Sequence, residues 1–235
     1  MAPASAQEDL VSGVSQDVVQ ITSNYTGTDL IVFGAIEHAG AAATRDIVVV
    51  VRGPDTEMTV RRKDRIAGVW INNARARLSG MPSYYFVAAT RPLAKIASPD
   101  TLALYDLGLD ALAPETVLSD GAAEPYRQAL LRAETRSGLY RQEPQGVEML
   151  SPTLFRVRVP VPASVPSGEY NVQVYLFRDG SVISAQSTPL YVDQTGFARR
   201  LRRFAFDRPF YYGVTTVLLA VLLGWLSSAI FRRWN

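Results

Sequence analysis

Cysteine is absent from this chain of 235 residues, which excludes disulfides, thiolate metal sites and a cysteine nucleophile. Histidine occurs once, at His38, so no multi-histidine metal site can form. That histidine follows Glu37 at the end of an apolar run and reads as a surface-loop residue rather than a ligand or a base. The sequence contains no Gly-x-Ser-x-Gly elbow, no phosphate-binding glycine loop, no dinucleotide glycine pattern and no zinc spacing. Acid pairs such as Asp106 and Asp110 read as ordinary helix-surface charges. No catalytic, cofactor-binding or metal-binding residues are therefore expected, and no cofactor; the chain reads as a non-enzyme. Disorder is excluded for most of it, because 48% of its residues are hydrophobic and only 20% charged.

Long hydrophobic runs are also scarce: there is one, at 209–231, PFYYGVTTVLLAVLLGWLSSAIF. Its 23 uncharged residues would rise about 34 Å as a helix, against a hydrocarbon core of about 30 Å. Tyr211 and Tyr212 stand at one end and Trp234 at the other, where amphipathic rings favour the headgroup level. The expectation is a C-terminal transmembrane helix over 209–231 with a short tail, 232–235. Thr216, Ala220, Gly224 and Ser228 recur every fourth residue of it. They would line one face with small side chains, the form of a docking face for a partner helix or a second copy. Before the run, residues 195–208 are basic, with Arg199, Arg200, Arg202, Arg203 and Arg208 interleaved with Phe197, Leu201 and Phe204. This segment reads as an interfacial contact with anionic lipid. Residues 197–235 hold seven arginines and a single acid, so the net charge of +2 hides a mildly acidic body. No nucleic-acid partner is expected from that balance.

Sidedness draws on two opposed signals. The arginines concentrate before the run, which by the positive-inside rule puts the body in the cytoplasm. Ala4-Ser5-Ala6 before Gln7 has the small-residue pattern of a signal-peptidase site, although no hydrophobic segment precedes it. Translocated domains largely escape the charge rule. The expected placement is single-pass in the inner (cell) membrane with a periplasmic body; a cytoplasmic tail-anchored scaffold is the alternative.

The body reads as mainly β. Residues 1–16 are expected to be a disordered N-terminus or signal remnant. Residues 17–97 carry strand signals: a hairpin across 17–36 around Asn24–Asp29, a doubly buried strand at Asp46–Arg52, and Tyr84–Ala89. Residues 98–145 read as a helical insertion, with Ser98 as N-cap before Pro99 and a longer helix from Asp120 to Gly138. Residues 146–194 return to clean alternation, with a tight turn at Asp179-Gly180. The fold class expected is an immunoglobulin-like antiparallel sandwich, as one or two β-domains, with that insertion. Arg61, Arg62, Lys63 and Arg65, followed by Trp70, form the best candidate for recognition in the body. Cations this dense repel one another unless an anion or an acidic partner sits nearby.

Several segments carry a resemblance over nearly the whole chain: ITSNYTGTDLIVFGAIE, DIVVVVRGP, VRRKDRIAGVWIN, MPSYYFVAATRPL, LFRVRVPVPASVPSGEYNVQVYLFRDG and YYGVTTVLLAVLLGWLSSAIFRR. They resemble an uncharacterised alphaproteobacterial family of "putative transmembrane proteins". The resemblance implies one secreted-type β-rich domain plus one C-terminal span, and carries over no catalytic residues. The function expected is a non-enzymatic accessory or binding subunit of an integral inner-membrane partner such as a transporter, or a homo-oligomer joined through the helix. An anchored small-anion-binding protein or enzyme using Arg61–Arg65 is the alternative.

Overall fold

The computed structural model describes residues 8–21, 27–37, 45–66, 69–119, 121–194, 206 and 209–232. The chain divides into two compact units, 1–19 with 25–193, and 20–24 with 194–235. The first holds three sheets. Sheet A has the order β1 (Asp9–Val14), β3 (Thr28–Glu37), β11 (Leu154–Val161), β10 (Val147–Met149), all antiparallel. Sheet B runs β2 (Val18–Ile21), β13 (Ser181–Gln194), β12 (Gly168–Arg178), β4 (Arg45–Arg52), β7 (Tyr85–Ala89), β9 (Tyr140–Glu143), with β9 parallel to β7. Sheet C is β5 (Asp55–Ile66), β6 (Val69–Pro82) and β8 (Thr116–Ser119).

The centre of sheet B, β4 and β7, is buried on both faces, as the unbroken β-branched run of β4 dictates. The register sets Val49 beside Val174 and Ala88, and Val48 beside Tyr175 and Ala89. Val48, Val50, Tyr85, Val87, Tyr175 and Phe177 join a core that also holds Leu93, Ile96, Tyr126, Leu130, Ala76 and Leu78. Those partners come from α1 (Leu93–Ile96), α3 (Glu124–Ser137) and β6. The opposite face, with Ile47, Val49, Val51, Phe86, Val172 and Val174, is also buried. Sheet A covers it with the alternating row Phe155, Val157, Val159 and Val161, and Tyr84 Oη donates to Pro160 O at 2.6 Å between the layers. Gly34 permits this: a Cβ there would lie 2.6 Å from the Phe155 ring.

Local chemistry ends the helices where the sequence signals lie. Ser98 accepts from Thr101 N at 3.2 Å and starts α2 (Pro99–Leu104), with Pro99 in its first turn. Gly138 at φ 80 closes α3, its N–H reaching the carbonyls of Glu134 and Thr135. Asp179 (φ 49) and Gly180 (φ 84) make the tight turn joining β12 to β13, a turn that needs two left-handed residues.

Four sequence expectations are corrected. First, residues 1–16 contain β1, held by a buried carboxylate. Glu8 receives Arg45 Nε at 3.0 Å and Arg45 Nη2 at 2.7 Å, and Arg178 joins the same carboxylate from the paired strand. Second, the hairpin expected across 17–36 does not form. β2 joins sheet B beside β13 while β3 joins sheet A, because each apolar row has a different layer to cover. Third, the stretch 98–145 is not purely helical: β8 and β9 extend two sheets, and β9 makes sheet B mixed.

Fourth, the C-terminal transmembrane helix of the expected fold class is withdrawn: among the described residues, no helix is long and apolar enough to cross a membrane. The second unit contains α4 (Pro209–Arg232), a continuous helix of 24 residues with no acid in its first turn. Its described side chains extend from Phe210 to Trp225 with gaps. Val214, Val217, Leu218, Val221, Leu222, Leu223 and Trp225 are exposed along it.

Candidate interaction site

The basic cluster of the sequence falls on the far part of the β5–β6 hairpin. Near its base the hairpin is half core. Ala76 and Leu78 are fully buried, and Met58, Val60 and Ala74 pack against the same cluster. Strand alternation sends Thr59 and Arg61 to the other face. Across from them stand Arg77 and Arg75, in the register Thr59↔Arg77 and Arg61↔Arg75. The outer face therefore sets one arginine directly opposite another. Like charges directly opposite one another on a strand pair are unfavourable taken by themselves.

Toward the end of the hairpin the charge continues. Arg61, Lys63 and Arg65 occupy alternate positions of β5, opposite Arg75, Asn72 and Trp70. The pairing slips between Arg62 and Lys63, where Asn73 is the extra residue of β6. Arg62 stands opposite Ala74, in the row that continues Val60 beyond the core. Arg61, Arg62, Arg65 and Arg75 are exposed. The acids on this arm are few: Glu57 lies 3.8 Å from Arg77, a solvent-exposed pair of little energetic weight, and Asp64 is opposite Ile71. Arg75 and Arg77 escape a reading of the sequence because they belong to the cluster only through strand pairing. The signal available was their spacing of two, which places both on one face of a strand.

The other sequence candidates are less informative. Thr216, Ala220 and Gly224 are exposed on α4, with open space around Gly224, and Ser228 lies in the same helix. Arg199, Arg200, Arg202, Arg203 and Arg208 lie outside the described residues, as does His38. Among the described residues no group of acids and histidine could hold a metal ion.

Elsewhere in the head, charged and phenolic groups are used structurally. The buried Asp46 carboxylate accepts from Thr90 Oγ1 at 2.7 Å and from Arg91 Nε at 2.7 Å, and the hydrogen bond and charge of Asp46 raise the Arg91 pKa. Tyr85 Oη donates to Asp106 O at 2.7 Å and accepts from Gly108 N at 2.9 Å. Burial pushes the Tyr85 and Tyr140 phenols well above their ordinary range, and the Tyr170 phenol up to about 12. These groups are locked as neutral donors, the opposite of what a proton-transfer site requires.

A family model described as "Putative transmembrane protein (Alph_Pro_TM)" matches residues 9–233. The chain belongs to this family. The match takes in the whole head, including the hairpin arm, and α4 as well. No curated protein gives a significant match. Among solved structures, Spo0M, a sporulation control protein from Bacillus subtilis, matches with a TM-score of 0.29 and 9% identity, over 80% of this chain and 50% of that one. The chain thus spans about half the length of that structure, and a similarity so low carries no argument.

Proposed function

We propose that this family member is a non-enzymatic accessory protein held at the inner membrane, with its β-rich head in the periplasm. Its β5–β6 arm binds an acidic face of an integral membrane partner. The observation that carries the reading is the outer face of the arm, where Arg61 opposes Arg75 with Arg77 alongside. A basic strand face of this kind is complementary to an acidic surface, which steers and orients the encounter. Membrane attachment is supported by the family's description and by the exposed apolar side chains of α4.

Three measurements test it. The chain floats with vesicles in a density gradient; recovery in the soluble fraction contradicts attachment. Protease added to spheroplasts degrades the head; protection contradicts the periplasmic placement and favours the cytoplasmic scaffold. Crosslinking in intact membranes, followed by purification, recovers a defined integral partner, and Arg61→Glu with Arg75→Glu abolishes the adduct. If binding of sulfate or phosphate to the head is instead what those substitutions remove, the arm is a small-anion site.

A further inference from the structure

The helical side of the head carries a second feature, unrelated to the basic arm. α1, α2 and the loop that follows them border a half-open cavity of about 620 Å³. That lies within the range of about 300–1,000 Å³ typical of small-molecule sites. Its walls are apolar, with Leu93, Leu102, Ala103, Leu107 and Pro144 among them. Three polar residues join them: Asp100, Asp110 and Gln142. Among the described residues no lysine or arginine lines it.

Its floor is rigid. Leu107 N donates to Leu102 O at 2.8 Å, and the Tyr85 hydroxyl ties Asp106 O and Gly108 N together. Asp106 (φ 52) and Gly108 (φ 107) hold the left-handed backbone this path requires. At Gly108 a side chain is also excluded by space, because a Cβ would come 3.0 Å from Leu93 Cδ1. On the wall, Gln142 Oε1 accepts from Leu109 N at 3.1 Å, which fixes its amide.

Asp100 and Asp110 stand at the solvent-exposed rim, and neither forms an ion pair among the described residues. Arg127, which acts on Asp110 through space, is forked onto Glu124 through two bonds of 2.9 Å and turned to the backbone oxygens of Asp110, at 3.4 Å, and Leu112, at 3.0 Å. An apolar chamber rimmed by two carboxylates selects an apolar body that carries a positive charge. Burying such a cation elsewhere would leave it without a partner.

We infer that this cavity binds small organic cations, apolar primary amines in particular. Fluorine NMR of 4-fluorobenzylammonium added to the detergent-solubilised full chain tests it, beside 4-fluorobenzyl alcohol and 4-fluorobenzoate. The ammonium probe is expected to broaden, with affinity about tenfold above the alcohol, and the benzoate to stay sharp. Ala103→Trp, which fills the chamber, removes the effect. Asp100→Asn with Asp110→Asn leaves the volume intact and erases the preference for the ammonium over the alcohol. Broadening that persists in the tryptophan variant, or in the doubly amidated one with unchanged preference, overturns the site. So does benzoate binding equal to that of the ammonium, or no binding of any probe.

Discussion

β4 and β5 follow one another in the chain with only Gly53 and Pro54 between them, yet they solve opposite problems. β4, Arg-Asp-Ile-Val-Val-Val-Val-Arg, is apolar at every interior position after its aspartate and is buried from Asp46 to Val51. It has one layer on each side, so its valine and isoleucine methyls stabilise the head by being buried. β5 begins the same way, with Met58 and Val60 against the core, and then turns basic from Arg61 onward. From there its outer row is exposed, with Arg61 set opposite Arg75. The difference separates sequence selected for burial from sequence left for contact with something else.

The largest contrast is expected in unfolding experiments on the two regions. Phe86 on β7 is fully buried against the inner face of β4, and Phe86→Ala should cost about 3–5 kcal/mol. Arg61→Ala should move the urea midpoint by no more than about 0.5 kcal/mol. A comparable loss from both would end the distinction between core and arm. Next in size is Tyr85→Phe, which removes the hydroxyl that bridges Asp106 O and Gly108 N. It should destabilise by about 1–3 kcal/mol, because a buried carbonyl and N–H lose their partner. Calorimetry on the purified variant measures this.

Alkaline pH sharpens the same contrast. The Tyr170 phenol is raised from 10.0 to about 12 by burial, and Tyr85, Tyr140 and Tyr175 are raised as well. A folded-state pKa above the unfolded one means that the unfolded chain releases protons first. The stability is therefore complete below pH 10 and falls as pH climbs through about 12. Tyr170→Phe should flatten that fall in pH-dependent unfolding curves, and an unchanged slope would count against a buried neutral phenol. Smallest of all, Arg61→Glu should stabilise the isolated protein by about 0.2–1 kcal/mol, as it sets an acid opposite Arg75. A destabilisation would mean that Arg61 serves the fold.

Much of this architecture is legible in the sequence where a single local rule decides. Four consecutive valines ahead of Gly53-Pro54 identify β4, Asp179-Gly180 identifies the β12–β13 hairpin, and Ser98-Pro99 identifies the start of α2. What escapes are relations between distant segments. β2 and β3 look like partners because they adjoin, but their apolar rows cover different sheets. β9 carries Arg141, Gln142 and Glu143, and nothing in that run announces a parallel partner to β7. At the candidate site, Arg61, Arg62, Lys63 and Arg65 are visible as a run, whereas Arg75 and Arg77 enter only through pairing. The cavity beside α2 has no linear signature, since its two carboxylates resemble any surface acids until Leu93, Leu102 and Leu107 are assembled around them.

The decisive measurement is membrane crosslinking and recovery with the full chain, wild type against Arg61→Glu with Arg75→Glu. One specific integral protein retained by the wild type and lost by the variant, with the two chains melting at the same temperature, is the predicted result. Equal recovery of that protein by both chains would contradict the basic arm as the docking surface.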